Sequence, residues 1–332
     1  MQRFVNDPDL IVEDMLSGFV KANPETELSD KNDRVIKFTK ASNTDKVGLV
    51  TGGGSGHEPA FLGYLGDGLL DAVAVGEVFS SPPAQAFYDA ILEADKGKGV
   101  AILFGNYAGD NMNVKMAVQM ADEEDIPVKY IVANDDIASS PKETKEKRHG
   151  IAGGFFMWKA GGARAALGGS IDEVIKSAEN IVNKTRSICV GLSPCTIPAV
   201  GKPNFQIEDG TMETGVGHHG EAGIKKEKLK TADGIAEDIT GRILEDFAFN
   251  DKRELAVMIS GLGSTPVMEL YVLYNKVEKI LKDKGHKIYK VYIGNFVTSL
   301  DMNGASLTIV DLDDEIKDLL EFPASPVGMK NY

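Results

Sequence analysis

The sequence predicts an α/β protein made of two α/β domains, each with a mixed, largely parallel sheet flanked by helices. Three observations carry that expectation. Short runs of Val, Ile and Leu alternate with stretches whose apolar residues recur at helical spacing. The runs are apolar throughout, as strands buried on both faces of a parallel sheet are. Polar, glycine-bearing segments stand directly after them, where a parallel sheet gives way to its helices.

In the first half, strands are expected at 47–50, 72–75, 100–104 and 128–132. A helix follows SSPP: Ser80 or Ser81 can cap it, Pro82 and Pro83 suit its first turn, and Ala84, Phe87, Tyr88, Ile91 and Leu92 form one apolar stripe. A further helix at 171–183, capped by Ser170, leads through KTRSIC into a strand at 188–192. The division between domains is placed there, giving an N-terminal domain of 1–184 and a C-terminal domain of 185–332. The second half holds a strand at 256–259 ending in GLGSTP, a long helix from Pro266 to Lys284 closed by Gly285, and strands at 291–296 and 306–310. No internal repeat or low-complexity linker interrupts the pattern, and the charge run KKEKLK at 225–230 reads as a solvated face.

Composition narrows the function. A chain of 332 residues exceeds one ordinary core. With 42% hydrophobic and 26% charged residues, and no apolar run near the ~20 residues that span a bilayer, it reads as soluble. The opening MQRFVNDPDL lacks the apolar core of a signal peptide, so cytoplasmic residence is expected. A net charge of −14 opposes nucleic acid and anionic membranes by Coulomb repulsion and leaves a small substrate or a protein as partner. Cys189 and Cys195 match no zinc or redox spacing and are expected to be buried thiols.

The polar segments hold the chemistry. GGGSGHEP follows the first strand, GEVFSSPP the second and GNYAGDNMN the third, so three glycine-bearing loops are expected at the sheet edge where α/β proteins bind ligands. A Walker A loop is excluded because no Lys follows the glycines, and a GxGxxG fingerprint fails because His57 stands where its third Gly belongs. His57 and Asp110 stand at the ends of two strands, and a histidine and a carboxylate facing one pocket can share general acid/base work. Asp110 equally suits the cap of the helix NMNVKMAVQM. In METGVGHHGEAG, 212–223, glycines disfavour a regular helix and expose His218 and His219. With Glu221 they offer metal-ligand types, but adjacent histidines without helical or sheet spacing are poorly aimed at one ion. A neutral imidazole can instead add to an electrophilic carbonyl.

Taken in order, GGGSGHEP, GEVFSSP, NYAGDNMN, PCTIPAVGKP, GVGHHGEAG, GLGSTPVMELY and TSLDMNGASLT resemble the dihydroxyacetone kinase substrate-binding subunit family, DhaK or Dak1, over nearly the whole chain. The resemblance implies two α/β domains, a homodimer, and a ketone bound covalently as a hemiaminal to a histidine Nε2. That histidine precedes Gly-Glu in the family pattern, which assigns the role to His219. It also implies that His57 and Asp110 are the acid/base pair, and that Gly54, Ser55 and Gly56 line the substrate site beside them.

The sequence offers no magnesium-binding acidic cluster with a nucleotide loop, and the nucleotide-binding domain is expected on another polypeptide. No metal and no cofactor are therefore expected on this chain. The resemblance implies a nucleotide-binding DhaL-type partner subunit that supplies ADP or ATP with magnesium, and the stand-alone length favours a bound ADP recharged by a phosphotransferase-system phosphocarrier. Three positions depart from the family pattern: Gly105 replaces a Lys, His149 an Arg, and His218 an Ile. Gly105 is read as vacated space, which raises a tetrulose such as erythrulose as an alternative substrate to dihydroxyacetone. The rival reading is a DhaK-like co-regulator that binds a transcription factor, against which the retention of His57, Asp110 and His219 argues.

Overall fold

A computed structural model describes residues 3–42, 44–203 and 205–329. The first half contains α1 (Ile11–Ala22), β1 (Thr26–Leu28), β2 (Val35–Phe38), β3 (Gly48–Ser55), β4 (Gly66–Asp67), β5 (Ala72–Val78), α2 (Ala84–Ala94), β6 (Val100–Gly105), α3 (Ala108–Asp122) and β7 (Val128–Ala133). After α4 (Gly154–Ala166) and α5 (Ile171–Asn183) come β8 (Thr185–Gly191), β9 (Thr211–Thr214), β10 (Lys225–Lys228), α6 (Ala232–Phe247) and β11 (Glu254–Gly261). The chain closes with α7 (Val267–Asp283), β12 (Lys287–Gly294), β13 (Gly304–Asp311), α8 (Asp314–Glu321) and β14 (Ser325–Pro326).

The α/β class is as expected, with two six-stranded sheets flanked by helices. The first has the order β1-β2-β5-β3-β6-β7. Its β5, β3, β6 and β7 run parallel, and β1 and β2 add an antiparallel edge. The second, β10-β9-β8-β13-β11-β12, corrects the expectation of a largely parallel sheet: only β11 and β12 pair in parallel. Its other neighbours are antiparallel. Parallel neighbours need a crossover, and α7 supplies one between β11 and β12, whereas β8 reaches β9, β9 reaches β10 and β12 reaches β13 without a helix. The run KKEKLK forms β10, an edge strand whose Lys225, Lys226 and Lys228 are exposed. Charged edges of this kind resist pairing with other strands.

The strands alternate their side chains between two cores. In β11, Ala256 and Met258 join a core with Leu49 and Leu103 of the first sheet and Phe155, Phe156 and Trp158 of α4. Leu255, Val257 and Ile259 face the other way, against residues of α6 and α7. Helices α4 and α5 thus lie between the sheets, and α2 and α3 cover the far face of the first. After β13 the chain returns to the first half. Lys159 Nζ donates to the carbonyls of Leu319 (2.9 Å) and Phe322 (2.5 Å), and β14 pairs with β4. Cys189 and Cys195 are both buried thiols. Among the described residues no helix is long and apolar enough to cross a membrane.

Candidate active site

From β3 the chain moves to β5 on one side, then crosses through α2 to β6 on the other. The connections therefore diverge between the carboxyl ends of β3 and β6, where open α/β sheets form their ligand crevice. A cavity of about 230 Å³ opens there, lined by Gly52, Gly53, Gly54, His57, Asp110, His218 and His219 among others.

Its floor is not the loop that the glycines suggest. Gly52, Gly53 and Gly54 are residues of β3, paired with Ala74, Val75 and Gly76 of β5. A Cβ on Gly53 would lie 2.2 Å from the Phe61 ring, and one on Gly52 would lie 2.5 Å from the Phe87 ring. Glycine is needed so that the strand can pass between aromatic rings, a packing requirement that a phosphate loop does not share. Of the expected substrate-site residues, Gly54, His57, Asp110 and His219 line the cavity. Ser55 and Gly56 are not among its walls: the Ser55 hydroxyl donates to the Gly76 carbonyl at 2.8 Å, and Gly56 lines a separate depression with Arg3 and Asp301.

His57 follows β3 and is held by the second half of the chain. Its Nδ1–H donates to the Thr298 carbonyl at 2.7 Å, and its ring stacks on Phe79 at 5.1 Å. His219 reaches the same place from the loop after β9, and its Nε2 stands 3.0 Å from His57 Nε2. On its other side, His219 Nδ1 donates to Glu221 Oε1 at 2.8 Å while its backbone N–H donates to Oε2 at 2.9 Å. Both Nδ1 atoms thus face oxygens that only accept, so both carry hydrogen. A contact of 3.0 Å between the two Nε2 atoms then requires one further proton between them.

The electrostatics place that proton. Burial, followed by the charges of His219 and His218, pushes His57 well below the ordinary histidine range, so His57 stays neutral and accepts. Burial alone would raise Glu221, but the hydrogen bond and charge of His219 override it and hold the carboxyl at about 2. Glu221 thus stays ionised and accepts the Nδ1–H of His219. Among the described residues no group of three or more His, Cys, Asp or Glu is arranged to hold an ion.

Asp110 lies in the first turn of α3, not at its cap; the cap position is Tyr107, whose side chain makes no capping bond. Its Oδ2 accepts from Ser81 Oγ at 2.8 Å, and its Oδ1 is buried with no hydrogen-bond partner among the described residues. Burial pushes the carboxyl up to about 6 against the opposing Ser81 bond. The expected capping of α2 by Ser80 or Ser81 is corrected by the same contact. That helix starts after Pro83 with no side-chain cap, and Ser81 serves Asp110 instead.

Other residues escaped sequence reasoning. Phe79 has a left-handed φ of 59°, a costly conformation for an aromatic residue, and it presents its ring to both His57 and His219. Tyr107 stands edge-on to His219 at 5.0 Å and stacks on His149 at 4.6 Å. The Tyr107 ring also answers the reading of Gly105 as vacated space, because a Cβ there would lie 3.3 Å from it. The volume next to Gly105 is thus taken up by Tyr107.

Residues 17–328 match the family model described as the Dak1 domain. The chain belongs to the Dak1 domain family. It is 42% identical to the Dak1 protein of Listeria innocua named PTS-dependent dihydroxyacetone kinase 2, dihydroxyacetone-binding subunit DhaK, over 97% of both chains. The D-erythrulose kinase of Mycolicibacterium smegmatis is 38% identical over 99% of this chain and 57% of its own length. Among solved Dak1 structures, that of the dihydroxyacetone kinase operon co-activator Dha-DhaQ superimposes with a TM-score of 0.89 at 31% identity, covering 95% of this chain and 97% of the other. Kinase subunits and a co-activator thus share this Dak1 fold, and the choice between them falls to the chemistry of the site.

Proposed function

We propose that this chain is the ketose-binding subunit of a dihydroxyacetone kinase-type phosphotransferase, with His57, Asp110 and His219 as its catalytic residues. The observation that carries the reading is the 3.0 Å contact between His57 Nε2 and His219 Nε2, in one cavity with the unpartnered Oδ1 of Asp110. His57 takes the proton from His219 Nε2, and the freed lone pair adds to the ketone carbon. As the C–N bond forms, the carbonyl electron pair moves to oxygen, which receives the proton back from His57. The ring that results keeps its Nδ1–H and its positive charge opposite Glu221, so charge is conserved. The tether excludes glycerol, which has no carbonyl carbon to attack, and fixes a terminal hydroxyl beside Asp110.

Asp110 accepts that hydroxyl's proton at Oδ1 while the oxygen bonds to phosphorus and the bond from phosphorus to the donor breaks. The donor is a nucleotide-binding DhaL-type subunit carrying ADP or ATP with magnesium. The Listeria relative's name, PTS-dependent, supports a phosphotransferase-system phosphocarrier as the ultimate source. The working form is a cytoplasmic homodimer, with the N-terminal domain to residue 184 supplying His57 and Asp110 and the remainder supplying His219.

A crystal soaked in dihydroxyacetone should carry ligand density continuous with His219 Nε2, and His219→Gln should abolish it. Density joined to His218, or none at either histidine, would refute the assignment. If the adduct forms but no nucleotide-binding subunit supports transfer, the co-activator reading prevails.

A further inference from the structure

Two buried polar atoms of residues lining the cavity lack a hydrogen-bond partner among the described residues. One is Asp110 Oδ1 and the other is His218 Nε2. The proposed reaction uses the first, as acceptor for the reacting hydroxyl. It does not use the second.

His218 is 2% exposed, and its ring centroid lies 5.9 Å from that of His57. Its backbone carbonyl accepts from the Ser299 hydroxyl, so the residue is pinned from the second half of the chain. Burial, with the neighbouring His219 charge, pushes the ring down to about 4, which leaves it neutral at physiological pH. A neutral imidazole Nε2 offers one directional hydrogen bond and no charge. That suits a hydroxyl group, which can donate to this atom or accept from it. Leaving such an atom unsatisfied in a closed site is costly, so a ligand that supplies the partner gains selectively over one that does not.

We propose that His218 is a specificity-determining residue that reads the further hydroxyl which a fourth carbon adds to the non-reacting arm of the ketose, favouring a four-carbon ketose over dihydroxyacetone. The inference rests on the ketose-binding reading above. With the carbonyl carbon at His219 and one terminal hydroxyl at Asp110, the second arm is the part of the substrate left for His218 to meet. In a tetrulose that arm carries two hydroxyls on two carbons, and in dihydroxyacetone it carries one. Gly105 does not supply this selectivity by vacancy, since the Tyr107 ring fills the space beside it.

Calorimetric titration of the full chain with dihydroxyacetone and with each enantiomer of erythrulose tests this. His218→Leu keeps an apolar body but removes Nε2, and His218→Gln restores a polar atom at similar reach. For the better-bound erythrulose enantiomer, the leucine variant should weaken binding about tenfold, and the glutamine variant should recover most of that loss. Dihydroxyacetone affinity should shift less than about threefold in both, which also reports an intact site. Equal losses for the three ketones, no loss in the leucine variant, or wild-type preference for dihydroxyacetone would overturn the role of His218 while leaving ketose binding standing. Failure of the wild-type chain to bind any of the ketones would overturn the ketose reading and this inference with it.

Discussion

Asp110 shows how a single residue's surroundings set its chemistry. An exposed aspartate is too weak a base to take a proton from an alcohol, but burial raises this carboxyl to about 6 while Ser81 holds only one of its oxygens. The reaction needs the ionised form, which predominates above that value, so turnover should fall as pH drops through about 6. Asp110→Asn should lower kcat by ~10²-fold or more with ketone affinity little changed, since shape and one hydrogen bond survive. Wild-type turnover in that variant, with an unchanged acid limb, would reduce Asp110 to a structural residue. His57 and Asp110 stood out in the sequence because each lies in a glycine-bearing segment after an apolar run, whereas His219 was singled out from His218 only by the family resemblance. Ser81 and Phe79 did not stand out. Ser81 before two prolines looks like a helix cap, and only the fold turns it toward Asp110; the left-handed backbone of Phe79 leaves no trace in its side-chain type.

At the scale of elements, local signals and long-range ones diverged. Helix α5 was legible to the residue because Ser170 and Glu173 form a reciprocal capping box and its apolar face is regular. Helix α4 was not, since GFFMWKAGGARAA is buried on nearly all sides and carries no polar stripe. The direction of pairing in the second sheet was also hidden, because it depends on how the connections travel and not on the strands. Strand β3 yields a test of what its glycines do. Gly53→Ala places a methyl 2.2 Å from the Phe61 ring, which itself stands edge-on to Trp158 at 5.5 Å, so little can move aside. Overpacking of this kind should cost ~1–3 kcal/mol in urea denaturation and weaken ketone binding. Gly241→Ala, in α6 with nothing within 4 Å of the new methyl, should instead stabilise by ~0.5–1 kcal/mol. If both changes have the same sign, close packing is not the reason for the β3 glycines.

Across the whole molecule, the site is assembled from two halves that must stay in register, since His57 and Asp110 come from one and His219 from the other. One half-buried carboxylate links them. Asp246 of α6 accepts from Arg148 Nη1 at 3.0 Å and Nη2 at 2.6 Å, and from Arg186 Nε of β8 at 2.6 Å. Arg148 is 2% exposed and immediately precedes the segment whose Gly150 and Ile151 line the cavity; its carbonyl accepts from Asn106 at 2.7 Å. Burial would raise the Asp246 carboxyl, but Arg148 and then Arg186 reverse this and hold it below its ordinary value of 3.8. The sign of the pH effect follows. A depressed folded pKa means that the pair's contribution is present above the unfolded value and is lost as pH falls through the folded one. Asp246→Asn leaves the Arg148 guanidinium buried without its counter-charge, which should cost ~3–5 kcal/mol near neutral pH. The gap between wild type and variant should begin to narrow as pH falls below the unfolded value of about 4, and close as pH falls on through the lower folded value. Replacing the three together, as Arg148→Met and Arg186→Met with Asp246→Leu, removes every charge of the cluster and should recover most of the loss. Urea denaturation at pH 7 and pH 3 measures all of these. A wild-type midpoint for Asp246→Asn, or a gap that does not change with pH, would show that this ion cluster does not fasten the two halves.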